Sequence, residues 1–312
     1  MGTVSHGRGL VAVPSEPGGW PLTRLVRVVV GATLLSAVAA HAVAPGLPFL
    51  VMGTSARAGA LAESMTAVSD PEAGSANPAA LSAPGRGGAW LTHTAWVQGL
   101  DQEALCFVAP RGRLTVGLTA QLAQADDLER RQGPSVEPLG SFGVYDATVG
   151  VLASCTARHG LHVGAGIRYL HQTVADQTAQ GAAMDLGAWY PASPRLSLGA
   201  AWRNLGHMND LNQTATPLPR SLRLGVAYRA VPALLVTAEA QHTRGAGLSG
   251  HAGVEAAVRP HLPLRLGYQT GDNRGLSAGL GLTARRWSVD YAYLPFGSGL
   301  GEAHRIGFHY LR

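Results

Sequence analysis

The chain has 312 residues, 41 of them glycine, with 14% charged residues and a formal net charge of +5. Glycine stands at roughly twice its usual share, and lysine is absent, so arginine and histidine are the only basic side chains. The arginines are scattered singly along strand-like runs, with no basic cluster interleaved with aromatics, which argues against nucleic acid as a partner despite the positive charge.

The one long, continuous apolar stretch, Val28 to Ala40, follows Arg24 and Arg27 and leads into Ala40-His41-Ala42 and Ala42-Val43-Ala44, both small-x-small sites. That is the pattern of a secretory signal peptide over residues 1–44, with cleavage after Ala42 or Ala44. The core is too short for a comfortable transmembrane helix, and no later segment approaches the roughly 18 to 20 apolar residues one needs. The long leader Met1 to Thr23 is explained if translation begins further downstream.

Residues 45–86 form a distinct segment. Ser55 to Val68 is a run of small residues with Leu61 and Met65 at helical spacing, and Asp70-Pro71 and Asn77-Pro78 introduce turns after it. Too poor in large apolar residues to bury a core of its own, the segment needs a cavity to sit in, and a barrel lumen would serve.

From residue 87 to 312 the chain reads as about fourteen short strands, the first over 88–98 and the last over 303–311, each broken by Gly, Pro, Asn or Asp. Two longer connections, Gln124 to Phe142 and Leu205 to Pro219, carry charge, Pro and Asn, as the outward loops of an outer-membrane barrel do. Phase supports the same architecture. Leu222, Leu224, Val226 and Tyr228 alternate with Arg223 and Arg229, and Trp287, Val289, Tyr291 and Tyr293 with Ser288 and Asp290. A soluble sandwich also alternates; here, however, the polar face bears isolated charges beside glycine, as in Arg265-Leu266-Gly267 and Arg305-Ile306-Gly307, which leaves room for a lumen. The fold class predicted is an all-β transmembrane antiparallel barrel of about fourteen strands with an N-terminal hatch.

Successive strands carry opposite signs on the polar face. Arg168 is followed by Asp185 and Arg203, Arg223 by Glu239, Glu255 by Arg265, and Asp290 by Arg305. Cross-strand pairing of these lumen-facing charges is expected, each pair contributing about 0.2 to 1 kcal/mol. Such a ladder lines a conduit or grips a plug; alternatively it only holds the wall together. Cys106 and Cys155 fall on different predicted strands, and export would permit a disulfide, but two unpaired wall residues fit equally.

Enzyme signatures are weak, and no catalytic residue, cofactor or metal site is expected. Gly275-Leu276-Ser277-Ala278-Gly279 matches the nucleophile-elbow pattern, which works only where a strand turns sharply into a helix, and Leu280-Gly281-Leu282-Thr283 continues as strand. Gly164-Ala165-Gly166 lacks the third glycine and opening helix of a dinucleotide site. His159 with His162, and His304 with His309, lack the helical spacing of a zinc protease and read as loop or rim residues.

Five stretches resemble a known family: Phe49 to Ala58 (FLVMGTSARA), Asn77 to Leu81 (NPAAL), Leu198 to Gly206 (LGAAWRNLG), Pro217 to Arg229 (PLPRSLRLGVAYR) and Tyr291 to Phe308 (YAYLPFGSGLGEAHRIGF). In this order they are similar to the PorV/PorQ family of FadL-like outer-membrane barrels. The resemblance implies fourteen strands, a hatch from Ser55 to Leu81 inside the barrel with Arg57, Asp70, Asn77 and Pro78 as hatch and gating residues, and bacterial outer-membrane localisation. It implies a non-enzymatic role in transport of hydrophobic compounds or as an accessory of type IX protein secretion, the alternative being a structural barrel with no substrate. Partners implied are outer-membrane lipid, the barrel-assembly machinery reading Ile306, Phe308 and Tyr310 near the C-terminus, and a hydrophobic small molecule or secreted cargo protein.

Overall fold

The computed structural model describes residues 46–83, 85–134, 137–271 and 274–311; the expected signal peptide lies outside the described residues. Fourteen antiparallel strands close into one barrel. They are β1 (Gly88–Ala95), β2 (Asp101–Arg111), β3 (Leu114–Arg130), β4 (Gly140–Thr156), β5 (His162–Val174), β6 (Gln177–Pro191), β7 (Leu196–Met208), β8 (Ser221–Val231), β9 (Leu234–Thr243), β10 (Gly247–Arg259), β11 (Leu262–Gln269), β12 (Leu276–Ala284), β13 (Trp287–Pro295) and β14 (Glu302–Leu311). Each pairs with its sequence neighbours, and β1 closes the ring on β14, with Gly88 opposite Leu311 and Ala95 opposite His304.

The alternation has the expected sense. Leu91, Phe107, Leu118, Ile167, Leu224, Leu266, Leu282 and Phe308 point outward and are exposed, while Thr92, Gln102, Arg168, Arg223, Arg265 and Arg305, inward on the wall, are buried. An exterior of exposed aliphatic and aromatic side chains around a polar interior is stable where hydrocarbon covers it, and closure leaves no strand edge unpaired. No helix among the described residues is long and apolar enough to cross a membrane. β3 and β4 reach 17 residues each, beyond the roughly 9 to 11 that span a bilayer, so the wall stands tallest there and the first long connection shrinks to 131–139. The second begins after Met208.

The core lies inside the barrel and is supplied by the N-terminal segment. Gly46 donates to the Pro217 carbonyl at the long-loop end, where Leu47, Phe49 and Leu50 pack with Leu170, Ala183, Met208 and Leu218. The chain descends through the lumen to Leu81, which packs with Trp90, Cys106, Val108 and Leu152 near the short-turn end. The helical expectation for Ser55 to Val68 is met only by helix α1 (Ala56–Ala60), capped by the Ser55 side chain accepting from the Ala58 amide. Ala62 and Glu63 take left-handed φ of 51° and 64° and end it. Helix is lost there because each residue of the segment is claimed by the wall rather than by its own periodicity. Glycines make the fit possible: a Cβ on Gly199 would lie 2.0 Å from the Thr66 carbonyl oxygen, and one on Gly187 would lie 2.0 Å from Asn77 Oδ1.

The two ends differ in charge. The six short turns and the strand ends beside them bear Arg111 and Arg113, Arg158, Arg195, Arg229, Arg259, and Arg285 with Arg286, joined by Arg86 where the luminal segment leaves for β1, and no Asp or Glu stands among them. The long-loop end is mixed, with Asp101, Glu103, Asp126, Asp127, Glu129, Glu137, Asp176, Asp210 and Glu302 beside Arg130, Arg131, Arg220, Arg244 and Arg274.

Candidate functional site

Alternation turns one charge per strand inward, and most of the expected ladder forms. Arg168 NH2 donates to Asp185 Oδ1 at 3.0 Å, and Arg203 Nε lies 3.8 Å from Asp185 Oδ2. Arg223 Nε meets Glu239 Oε1 at 2.5 Å, and Arg265 Nε meets Glu255 Oε2 at 2.7 Å. The expected pairing of Asp290 with Arg305 does not occur. On β14 the residue opposite Asp290 is Gly307, and Arg305 faces Ala292. Asp290 instead accepts from Arg265, and Arg305 turns to the luminal segment, donating to Glu63 Oε1 at 3.0 Å and to the Ser55 carbonyl at 2.8 Å.

The luminal segment answers the wall with its own polar groups. Arg57 clamps Glu255 through Nε and NH2 at 2.7 and 2.8 Å and holds Asp70 through NH1 at 2.7 Å. This two-toothed geometry suits a guanidinium and is closed to an ammonium. Burial disfavours the Arg57 charge, yet Glu255 and Asp70 outweigh it and raise its pKa well above the ordinary value. Asp70 also caps its own turn, accepting from the Glu72 amide at 3.0 Å. Asn77 donates to the carbonyls of Thr66 and Ala188 and accepts from the Ala79 amide, fixing the segment to β6, while the Pro78 carbonyl region abuts Gly164 of β5. Arg223 NH2 reaches the Glu63 carbonyl at 2.7 Å, and Glu239 Oε2 accepts from the Thr66 amide at 3.0 Å. The expected hatch residues thus meet the wall together with Arg223, Glu239, Glu255 and Arg305, in a polar seam between segment and wall, while Arg168, Asp185 and Arg203 pair within the wall.

Five further inward polar residues fall outside the sequence expectations. Glu63 and Glu72 sit in turns without periodicity. Asn204 follows Arg203 inward because a bulge shifts register between Met184 and Leu186, and its side chain donates to the Pro219 carbonyl at 2.9 Å. His251 is buried and 2.7 Å from the Ala62 carbonyl. His309 corrects the rim reading: it is 3% exposed, with Nδ1 2.5 Å from Glu72 Oε1 and Nε2 3.5 Å from Asp290 Oδ2. His162, also read as rim, is buried in the wall with Nδ1 2.8 Å from Ser82 Oγ. His159 and His304 are exposed as expected. The parity that puts Arg305 inward puts His309 inward too, so that signal was present.

Glu72 is held at about 2: burial opposes its charge, but His309 and Arg57 overcome the penalty. One atom each of Glu72, Asp290 and His309 lies within 4.8 Å of the others, so this is where a cation could be held; Arg265 on Asp290 competes for that role.

Ser277, the centre of the elbow-like pattern, lies within β12 and donates to the Ala60 carbonyl at 3.1 Å. Cys106 and Cys155 are free thiols. Ile306 and Phe308 face outward on β14, 37% and 49% exposed, with Tyr310 partly covered by Trp287.

At the long-loop end, above Glu63 and His251, the lumen holds a cavity of about 310 Å³. Pro48, Val51, Met52, Leu248 and Phe296 supply its apolar wall, and Glu63, Gln241, Thr243, Ser249, His251, Gln269 and Arg274 its polar side. The Arg274 guanidinium lies 4.9 Å from the Trp96 ring and 5.4 Å from Phe296 at its edge.

No protein-family model and no curated protein matches the chain. Its fold is similar to that of the Ralstonia pickettii toluene transporter TbuX, at 14% identity over 84% of this chain and 98% of that one, TM-score 0.58. It is similar too to the Pseudomonas putida toluene transporter TodX, at 13% identity over 83% and 96%, TM-score 0.62. A Pseudomonas aeruginosa FadL homologue matches at 12% identity over 87% and 98%, TM-score 0.59. At these identities the likeness is one of fold.

Proposed function

We propose that this chain is an outer-membrane barrel that admits small hydrophobic compounds from the long-loop side, with residues 45–86 as its hatch and residues 87–312 as its wall. The observation that carries this reading is the cavity beneath the long loops. A concave site of about 310 Å³, with the apolar side chains of Pro48, Val51, Met52, Leu248 and Phe296 facing polar groups that can fix orientation, is a form that small-ligand sites take. Similarity of fold to toluene transporters makes a monoaromatic hydrocarbon the first compound to try. Below the cavity the seam of Arg57, Arg223 and Arg305 closes the lumen, so passage requires displacement at the hatch, and Arg57, Asp70, Asn77 and Pro78 are the residues on which that displacement acts.

The test is uptake of radiolabelled toluene by cells carrying the barrel in the outer membrane. Saturable uptake above empty-vector cells, reduced about tenfold or more by Met52→Arg with the folded barrel still present, is the expected result. Uptake no faster than in empty-vector cells sinks the transport reading in favour of a structural barrel. The similarity of FLVMGTSARA, NPAAL and the Tyr291 to Phe308 stretch to PorV/PorQ proteins favours a second reading, an accessory of type IX secretion. Co-purification of a secreted cargo protein with the barrel would support it, and a genome without the remaining secretion machinery would remove it.

A further inference from the structure

We infer that the short-turn rim is a binding site for anionic glycerophospholipid headgroups, centred on a cleft between the β2–β3 and β4–β5 turns. Each of the six short turns carries arginine in the turn or within a few residues of it on the adjoining strand, and no Asp or Glu stands beside them, so the side chains of the rim present one sign of charge. These side chains are exposed, and the ion pairs of the described residues lie in the lumen or at the opposite end. Arg111 and Arg229 reach only nearby carbonyls, of Pro110 at 3.5 Å and Pro232 at 3.4 Å. Unscreened guanidiniums repel one another, and that cost is relieved when phosphate lies between them.

One turn carries arginine against its own backbone preference. Arg285 has φ of 56° in the two-residue connection between β12 and β13, a position that favours Asn or Gly. A headgroup contact gives a reason for a guanidinium there.

The cleft supplies the chemistry. About 610 Å³ in volume, it is lined by Arg113 and Arg158 with the hydroxyls of Thr115, Thr156 and Ser82. Two guanidiniums and three hydroxyls match a phosphodiester bearing a polyol.

Position favours lipid over a soluble acidic partner. Directly beside the arginines stand outward apolar and aromatic residues: Leu114 at 43% exposure, Val258 at 54%, and Trp287 at 62% with its ring 4.9 Å from Tyr310. Aromatic rings at this level mark the boundary between hydrocarbon and headgroups. A molecule engaging both the rim charge and the belt beside it must carry phosphate and acyl chains together. In the orientation of an outer-membrane barrel, short turns face the periplasm, so the lipid belongs to the inner leaflet.

The experiment is native mass spectrometry of the full barrel in neutral detergent, titrated separately with dioleoyl phosphatidylglycerol, dioleoyl phosphatidylcholine and inorganic phosphate. Phosphatidylglycerol is expected to be retained at least about 25-fold more tightly than phosphatidylcholine. Each arginine at an anionic surface contributes about a fivefold preference, so Arg113→Gln with Arg158→Gln should weaken phosphatidylglycerol retention about 25-fold and leave phosphatidylcholine unchanged. The pair Arg220→Gln with Arg244→Gln, at the long-loop end, should change neither. Should the cleft variant fail to give a heat-modifiable barrel, Arg285→Gln with Arg286→Gln is the substitute, with the same selective loss expected. Equal retention of the two lipids by the unaltered protein overturns the inference, as does an equal loss from the long-loop pair. Displacement of the lipid by millimolar inorganic phosphate also overturns it, because the site would then serve a free anion. None of these readouts depends on hydrocarbon uptake.

Discussion

Arg305 of β14 and Glu63 of the luminal segment meet at 3.0 Å across 242 residues of sequence, and Arg305 is fully buried. The same guanidinium donates to the Ser55 carbonyl and to Thr94 of β1, so one side chain ties the last strand, the first strand and the start of α1. Arg223 and Arg57 repeat the arrangement further round the wall. The luminal segment is thus fastened by buried charge on several sides, which explains how a segment with few large apolar residues is held in one place.

Replacing Arg305 by Met strands the Glu63 carboxylate and the Ser55 carbonyl in a buried site. Removing one partner of a buried pair typically costs about 3 to 5 kcal/mol. The variant should unfold at a markedly lower urea concentration in liposomes, read by loss of gel heat-modifiability. Adding Glu63→Met should recover part of the loss. Arg305→Met unfolding with the midpoint of the unaltered protein would mean the pair contributes nothing.

Gly199 faces the Thr66 carbonyl so closely that a Cβ would lie 2.0 Å away. Gly199→Ala therefore overpacks the seam, at about 1 to 3 kcal/mol, and should lower the urea midpoint and expose residues 62–68 to proteinase K. Gly133→Ala, in open space on the β3–β4 loop, should do neither. A protected segment in Gly199→Ala would show that the hatch does not sit against β7.

Much of the wall was legible because alternation is local. Leu222, Leu224 and Val226 against Arg223 reveal both faces of β8 without knowledge of its neighbours. Partner choice was less so. Pairing Asp290 with Arg305 looked natural from strand order, but the offset that places Gly307 opposite Asp290 is a property of register, and Arg265 reaches it from two strands away. Asn204 was hidden by a bulge, where parity fails. Glu63 and Glu72 were hidden because the luminal segment owes its shape to the wall, so no period marks which of its side chains matter.

Glu72 gives the seam a defined pH dependence. Its folded pKa is depressed from 4.5 to about 2 by His309 and Arg57 acting against burial. A depressed carboxylate contributes stability that is complete above the unfolded value and is lost as pH falls through the folded one. The hatch contact should therefore be fully present at pH 6 and weaken between about 4.5 and 2. Urea midpoints measured across that range should fall less steeply in Glu72→Gln than in the unaltered barrel. Parallel curves would remove Glu72 from the account.

Deleting residues 55–81 separates a gated conduit from a passive wall. The segment fills a lumen lined by Arg168, Asp185, Arg203, Arg223, Glu239, Glu255, Arg265 and Asp290, and it supplies partners of Arg223, Glu239, Glu255 and Arg305. Without it the remaining charges can be hydrated, because the wall pairs Arg168 with Asp185, Arg223 with Glu239 and Arg265 with Glu255 stay closed on themselves. A closed fourteen-strand ring that keeps its backbone ladder should survive the loss and hold a polar, water-filled lumen. The expected outcome is a heat-modifiable barrel of lower urea midpoint that leaks small hydrophilic solutes in a liposome swelling assay, while the unaltered protein does not. A deletion variant that folds yet stays tight would mean the wall itself collapses over the vacated lumen, and gating by the hatch would have to be abandoned.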